Sequence, residues 1–191
     1  MSSPRIGLIG CGAWGRNHLR NWDALGALQV VCDESEKRLA QVREKHPGVE
    51  TTRSIDDTLK RDDIDGVVIA SPAATHAELT HRAFDAGKDV LVEKPMALTS
   101  AEGARLVARS AECGRILSVG HVLVYHSAFR KLQQLVSDGA LGKIRYIYSN
   151  RLNLGKIRTE ENSLWSFAPH DVNLMLDLLG ALPTDVTCTG G

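Results

Sequence analysis

Short apolar runs alternate with amphipathic stretches over roughly the first two-thirds of the chain. Residues 6–10, 28–32, 66–70, 90–92 and 116–119 are apolar runs of strand length. Between them lie segments with helical periodicity: 15–25, the charged stretch 34–45, the short 54–60, and 75–86. Ser54 stands where an N-cap belongs, ahead of Asp56 and Asp57, whose charges suit a helix N-terminus. Gly87 stands where a left-handed residue closes the helix 75–86. Thr99-Ser100-Ala101-Glu102 is a capping-box pattern that opens a helix stopping before Gly114. Apolar strands alternating with helices predict an α/β fold, a doubly wound parallel sheet with helices on both faces.

After Gly120 the rhythm changes. Residues 127–137 predict a helix whose apolar stripe is Phe129, Leu132, Leu135 and Val136. Asp138-Gly139 and Leu141-Gly142 supply turns. In 144–154, Ile144, Tyr146 and Tyr148 alternate with Arg145 and Ile147, which predicts a strand with one covered and one open face. Residues 171–179 predict a last helix, apolar at Val172, Leu174, Met175, Leu178 and Leu179, and 186–189 predict the start of a strand. The expected organisation is a first domain over 1–122. Residues 123–191 then begin a second α/β domain, built on an open-faced and mainly antiparallel sheet.

Composition narrows the partners. The 191 residues carry 23 Lys plus Arg against 23 Asp plus Glu, with 43% apolar and 24% charged positions, an ordinary globular balance. A neutral chain has no basic excess for phosphate backbones or anionic membranes, so neither nucleic acid nor membrane is expected as a partner. The longest apolar runs, such as Val67-Val68-Ile69-Ala70, fall far short of the about 20 residues a spanning helix needs. The first residues run straight into a strand without a signal-peptide core. Cys11, Cys32, Cys113 and Cys188 are scattered, with no metal-binding pair, and read as free thiols in a reducing cytoplasm. No metal site is expected.

Gly10-Cys11-Gly12-Ala13-Trp14-Gly15 is a G-x-G-x-x-G run between a predicted strand and a predicted helix. Gly10 permits the tight turn, Gly12 lets backbone approach a pyrophosphate, and Gly15 lets helix and strand pack closely. Ala13 and Trp14 complete the turn, where a helix N-terminus offers N–H groups to phosphates. Asp33 ends the second strand, where an acid accepts hydrogen bonds from the adenosine ribose hydroxyls. Its charge, with that of Glu34, opposes a 2′-phosphate and favours NAD over NADP. Enzymes that use S-adenosylmethionine share these two features, so a further motif must decide. Glu93-Lys94-Pro95 follows the strand 90–92 at its carboxyl end, where ligands bind in open α/β sheets. Pro95 stiffens the turn, and only an X-Pro bond makes cis cheap. A lysine there can bond a substrate hydroxyl and stabilise alkoxide character.

Together with Ser71-Pro72 and His76, Gly120-His121, and His170-Asp171, these motifs resemble the Gfo/Idh/MocA family of NAD(P)-dependent oxidoreductases over essentially the whole chain. Residues 164–171 and 151–155 resemble its sugar-nucleotide branch. The resemblance implies a Rossmann domain and places Ser71-Pro72 and His76 in the turn after the fourth strand, beside the cofactor. It places Glu93 near the nicotinamide ribose, Lys94 on the reacting hydroxyl, His121 and Tyr125 in the link near the nicotinamide, and His170 as the base. Arg151, Asn153 and Trp165 become candidate substrate contacts. His170 suits a base, since imidazole titrates near neutrality. Many members carry Asp four residues before that His, where this chain has Ser166, so a His–carboxylate pair at that place is not expected. Asp171 reads as an acid at a helix N-terminus. His18, His46, His81 and His126 read as surface or packing residues.

The implied reaction is oxidation of a secondary alcohol on a sugar or sugar nucleotide, favouring carbon 3 of a UDP-linked N-acetylhexosamine. A cyclitol or free-sugar dehydrogenase, or an NAD-binding module without turnover, are the alternatives. The family also implies a longer chain and a homo-oligomer built on the second domain's sheet.

Overall fold

The computed structural model describes residues 3–152 and 163–190. The chain forms two compact units, Met1–Gly120 and His121–Gly191. In the first unit six strands form one parallel sheet: β1 (Ile6–Ile9), β2 (Leu28–Cys32), β3 (Glu50–Thr52), β4 (Gly66–Ile69), β5 (Asp89–Val92) and β6 (Leu117–Val119). Their order is β3-β2-β1-β4-β5-β6, with every neighbouring pair parallel. The order reverses direction between β1 and β4, the switch point at which a doubly wound sheet opens its ligand crevice. The connections carry α1 (Gly15–Ala24), α2 (Glu36–Lys45), the short α3 (Ile55–Leu59), α4 (His76–Asp85) and α5 (Ser100–Cys113).

Side chains alternate across the strands, which builds two cores. Ile9, Val30, Cys32, Val67, Ile69, Val90 and Val92 face one way and pack with Leu79, Ala83 and Phe84 of α4. Ile6, Leu8, Val31 and Val68 face the other way and pack with Leu19 of α1 and Leu39 and Val42 of α2. The central strands therefore read as unbroken apolar runs. The helix ends follow their sequence signals. Ser54 Oγ accepts from Asp57 N at 3.1 Å, and Thr99 Oγ1 accepts from Glu102 N at 3.2 Å. Gly87 and Gly114 adopt the left-handed φ values of 70° and 61° that end α4 and α5.

Strand β3 was not among the expected strands. It is three residues long, polar, and pairs only with β2 at the sheet edge, so it has no apolar run to betray it.

In the second unit a single 3₁₀ turn, Val122–Tyr125, precedes α6 (Ser127–Ser137), whose first turn His126 caps by accepting from Ala128 N through Nδ1. Helix α7 spans Ser163–Leu179 and is tied to α6 by a hydrogen bond from Gln133 to Asp177. Three expectations are corrected here. The last helix begins at Ser163 rather than at residue 171, with Pro169 inside it. Proline's fixed φ is itself helical, so Pro169 costs the helix one hydrogen bond without ending it. The expected strand 144–154 is irregular through Leu152, and its last two residues lie outside the described ones. The expected strand 186–189 is also irregular. A strand exists only through a ladder with a neighbour. Among the described residues neither segment has one, so Tyr146 and Tyr148 are exposed. The mainly antiparallel sheet expected of this unit is therefore not present among the described residues.

Candidate active site

The carboxyl ends of β1, β2, β4 and β5 gather the chemistry of the first unit. At the turn after β1, Gly10 has φ +93°, and a Cβ there would stand 2.6 Å from the Ala70 carbonyl oxygen. A Cβ on Gly15 would stand 2.1 Å from the Gly10 carbonyl oxygen. Both positions require glycine because backbone approaches backbone. Gly12 differs, since a Cβ there would meet nothing within 4 Å. Its bare face borders open space at the mouth of α1, which is what close approach of a pyrophosphate to backbone needs. Ala13 and Trp14 complete this mouth.

Asp33 follows β2 and is only 6% exposed. Its carboxylate accepts from Cys11 N at 2.7 Å and from Ser35 N at 2.8 Å, which fixes the acid against the glycine-rich turn. Arg38 of α2 approaches both oxygens at 3.4 Å. Sequence reading had not singled out Arg38; its position five residues after Asp33, on the helix that Asp33 precedes, is the signal that could have. Burial pushes the Cys11 and Cys32 thiols up, so both remain protonated packing groups.

The turn after β5 carries Glu93, Lys94 and Pro95, with a cis Lys94–Pro95 bond. Glu93 is 8% exposed. Trp14 Nε1 donates to its Oε1 at 2.5 Å, His18 Nε2 stands 2.8 Å from the same oxygen, and Lys94 N donates to Oε2 at 3.3 Å. Burial alone would push the Glu93 carboxyl up. The bond and charge of His18, the Trp14 indole and the Lys94 N–H outweigh it and hold the group below the usual carboxylate range. Gly120 leaves room for this carboxylate, because a Cβ there would come within 2.9 Å of Oε1. His18 was expected to be a surface or packing residue, and instead belongs to this cluster.

His76 is placed differently from its expected role beside the cofactor. It is 1% exposed, with Nδ1 2.8 Å from the Pro95 carbonyl oxygen and Nε2 2.9 Å from that of Ser71. It joins the Ser71-Pro72 turn to the Lys94-Pro95 turn rather than lining the crevice. Ser71 Oγ is itself bonded to Thr75 Oγ1 at 2.7 Å.

In the second unit, His121 precedes the 3₁₀ turn and Tyr125 is exposed. His170 and Asp171 lie in the middle of α7, so Asp171 is not the helix N-terminal acid that the sequence suggested. Arg151 grips Asp171 through Nε at 2.9 Å and Nη2 at 3.1 Å, and Ser149 Oγ donates to it at 2.9 Å. Burial would raise the Asp171 carboxyl, but these partners hold it below its ordinary value. Arg151, a candidate substrate contact, thus spends its guanidinium on an intramolecular pair. Trp165 is exposed on α7. Asn153 lies outside the described residues.

A hollow of about 310 Å³ opens at the opposite, amino ends of β1, β4 and β5, among Ile6, Trp22, Val68 and Leu91. It lies away from the carboxyl edge where this fold binds ligands. Among the described residues no group of three or more His, Cys, Asp or Glu is placed to hold a metal. No helix among them is long and apolar enough to cross a membrane.

Comparison with known proteins agrees with this geometry. Over its whole length the chain is 33% identical to the UDP-N-acetylglucosamine 3-dehydrogenase of Acidithiobacillus ferrooxidans, spanning 59% of that protein. It is 29% identical to an inositol 2-dehydrogenase of Klebsiella pneumoniae, over 93% of this chain and 55% of that one. The crystal structure of GenD2 from gentamicin A biosynthesis, in complex with NAD, superposes with a TM-score of 0.81 at 25% identity, over 94% of this chain and 54% of that one. The chain thus spans little more than half the length of these proteins. Residues 4–121 match the family model described as an oxidoreductase family with an NAD-binding Rossmann fold. The crevice at the strand switch point is therefore that of an NAD-binding Rossmann domain, and the chain belongs to the Gfo/Idh/MocA oxidoreductase family.

Proposed function

We propose that the protein is an NAD-dependent dehydrogenase acting on a secondary alcohol of a sugar or sugar nucleotide, with carbon 3 of a UDP-linked N-acetylhexosamine as the favoured position. The observation that carries this reading is the bonding of Trp14 and His18 to Glu93, which fastens the Lys94 turn directly to the helix of the glycine-rich cradle. NAD, when bound, supplies the hydride acceptor at its nicotinamide ring. Gly10, Gly12, Ala13, Trp14 and Gly15 cradle its pyrophosphate, and Asp33 takes the adenosine ribose diol. Ser71, Pro72, Glu93 and His121 flank the nicotinamide half. Lys94 bonds the substrate hydroxyl and stabilises the negative charge that grows on its oxygen. His170 accepts the hydroxyl proton, a step that typically contributes about 10²–10⁴ in rate. Tyr125, Asn153 and Trp165 contact the sugar. Arg151 acts through Asp171, holding its own segment to α7, the helix that carries His170.

The whole-length likeness to a UDP-N-acetylglucosamine 3-dehydrogenase supports the sugar-nucleotide substrate. The likeness to an inositol 2-dehydrogenase supports a cyclitol as the second reading. Incubation of the protein with NAD⁺ and either UDP-N-acetylglucosamine or inositol, followed by NADH absorbance, separates the two. Lys94→Ala and His170→Ala are each expected to lower turnover at least 100-fold. Near-normal turnover in both variants refutes these roles.

A further inference from the structure

Glu93 poses a problem of charge. It is a buried carboxylate at the carboxyl edge of the sheet, beside the helix that opens the pyrophosphate cradle. A dinucleotide brings negative phosphates to that edge, which an uncompensated carboxylate would oppose. The donors that answer it come from two places. Trp14 and His18 stand four residues apart on α1 and its cap, hence on one face, and both reach Oε1, at 2.5 and 2.8 Å. The backbone N–H of Lys94 reaches Oε2. A carboxylate only accepts, so the Nε2 of His18 must carry the proton. The side chains of His18 and Glu93 are 13% and 11% exposed, so water screens this contact little.

We propose that His18 is a positioning residue of the NAD site. With Trp14 it holds the Glu93 carboxylate in one orientation and offsets its charge. Through Glu93 it fixes the Lys94 turn to α1, so that the cradle and the turn bearing Lys94 form one rigid piece. The inference rests on the dehydrogenase reading and adds to it a residue that touches neither cofactor nor substrate.

NAD titration calorimetry and ¹H–¹⁵N spectra of the tryptophan indoles test this on the 191-residue chain. Loss of a charge-assisted hydrogen bond predicts that His18→Phe weakens NAD binding about 10- to 100-fold. His18→Gln puts an amide N–H where Nε2 stands and is expected to stay within about threefold of wild type, by the same hydrogen bond. His18→Asn is too short to reach and is expected to behave as His18→Phe, which decides the matter if the Phe variant does not fold. In a Glu93→Gln background, where the bond from His18 is no longer charge-assisted, His18→Phe should cost clearly less than in the wild-type chain. The Trp14 indole resonance should move in both His18→Phe and Glu93→Gln. Undiminished NAD affinity in the Phe and Asn variants, an equal loss in the Gln variant, an unchanged loss in the Glu93→Gln background, or an unmoved indole resonance each overturns the proposal. A wild-type chain that binds no NAD refutes the dehydrogenase reading instead, and the indole resonance alone then decides the clamp.

Discussion

Gly10 and Gly12 stand two residues apart in one motif, yet a Cβ would meet backbone at the first and open space at the second, and a pair of alanine substitutions separates the two. In Gly10→Ala the new methyl carbon would lie 2.6 Å from the Ala70 oxygen, 2.7 Å from its carbonyl carbon and 2.8 Å from Ser71 N. All three are backbone atoms of the turn after β4, so no side chain can swing away. The φ of +93° adds the cost of a left-handed conformation, about 1–2 kcal/mol, and forced overpacking adds about 1–3 kcal/mol. The expected destabilisation is thus about 2–5 kcal/mol, or about 4–20 °C in Tm for a domain of this size. Gly12 is not among the glycines with positive φ, and its added methyl meets nothing within 4 Å. Gly12→Ala should therefore melt within about 0.5 kcal/mol of wild type. Its methyl nevertheless occupies the face that pyrophosphate must approach, so one or two backbone bonds to phosphate are lost, and the NAD Kd should rise about 10- to 100-fold. Thermal melts followed by circular dichroism and NAD calorimetry on the same samples give both readouts. A Gly12→Ala chain that binds NAD like wild type would falsify this division of labour, as would a Gly10→Ala chain that melts with wild type.

Three further outcomes are expected. Arg5 bonds Asp65 at 2.7 Å and holds its carboxyl down at about 2 from an ordinary 3.8; the stabilisation is complete above the ordinary value and is lost as pH falls toward 2. Urea melts between pH 5 and 2 should show a shallower acid decline in Asp65→Asn, and an identical slope counts against the pair. Leu106 of α5 is fully buried, so Leu106→Ala should cost about 2–5 kcal/mol in the same urea melts; a loss under 1 kcal/mol contradicts its packing. Asp33→Ser removes the ribose acceptor and leaves Arg38 without its carboxylate, so comparative titrations should show weaker NAD binding and a gain for NADP, whose 2′-phosphate Arg38 can then meet; unchanged selectivity refutes the role given to Asp33.

Much of the first unit was legible because its strands are buried on both faces. Gly66-Val67-Val68-Ile69 is buried along its whole length, and a short apolar run between helical stretches reads as a central parallel strand. The caps at Ser54, Thr99, Gly87 and Gly114 were equally readable, because a cap is a local event between residues three or four apart. What escaped depends on distant partners. The edge strand β3 has no apolar face, and 144–152 has strand alternation but, among the described residues, no neighbour with which to form a ladder. The last helix, expected to open at residue 171, begins at Ser163 and runs through Pro169. His18 looked like any amphipathic-helix histidine, because its partner Glu93 lies 75 residues away in sequence. Asp171 looked like a helix-end acid because Arg151 and Ser149, twenty or more residues earlier, were not visibly opposite it.

The two histidines whose roles changed act on the same short turn from opposite sides. His18 reaches Glu93 from α1, and His76, at the head of α4, reaches the carbonyl of Pro95. Lys94 lies between these two anchors. Loops at the carboxyl edge of a sheet ordinarily carry the function and the mobility together. Here the Glu93 carboxylate before Lys94 and the Pro95 carbonyl after it are bonded to two different helices, and His76 extends the connection to Ser71 in the turn after β4. A turn fastened in this way is ordered before any ligand arrives, so binding need not supply the entropy of ordering it. Positional precision in the Lys94 turn therefore draws on His18 and His76, and losing either histidine should loosen the turn while leaving Lys94 itself in the chain.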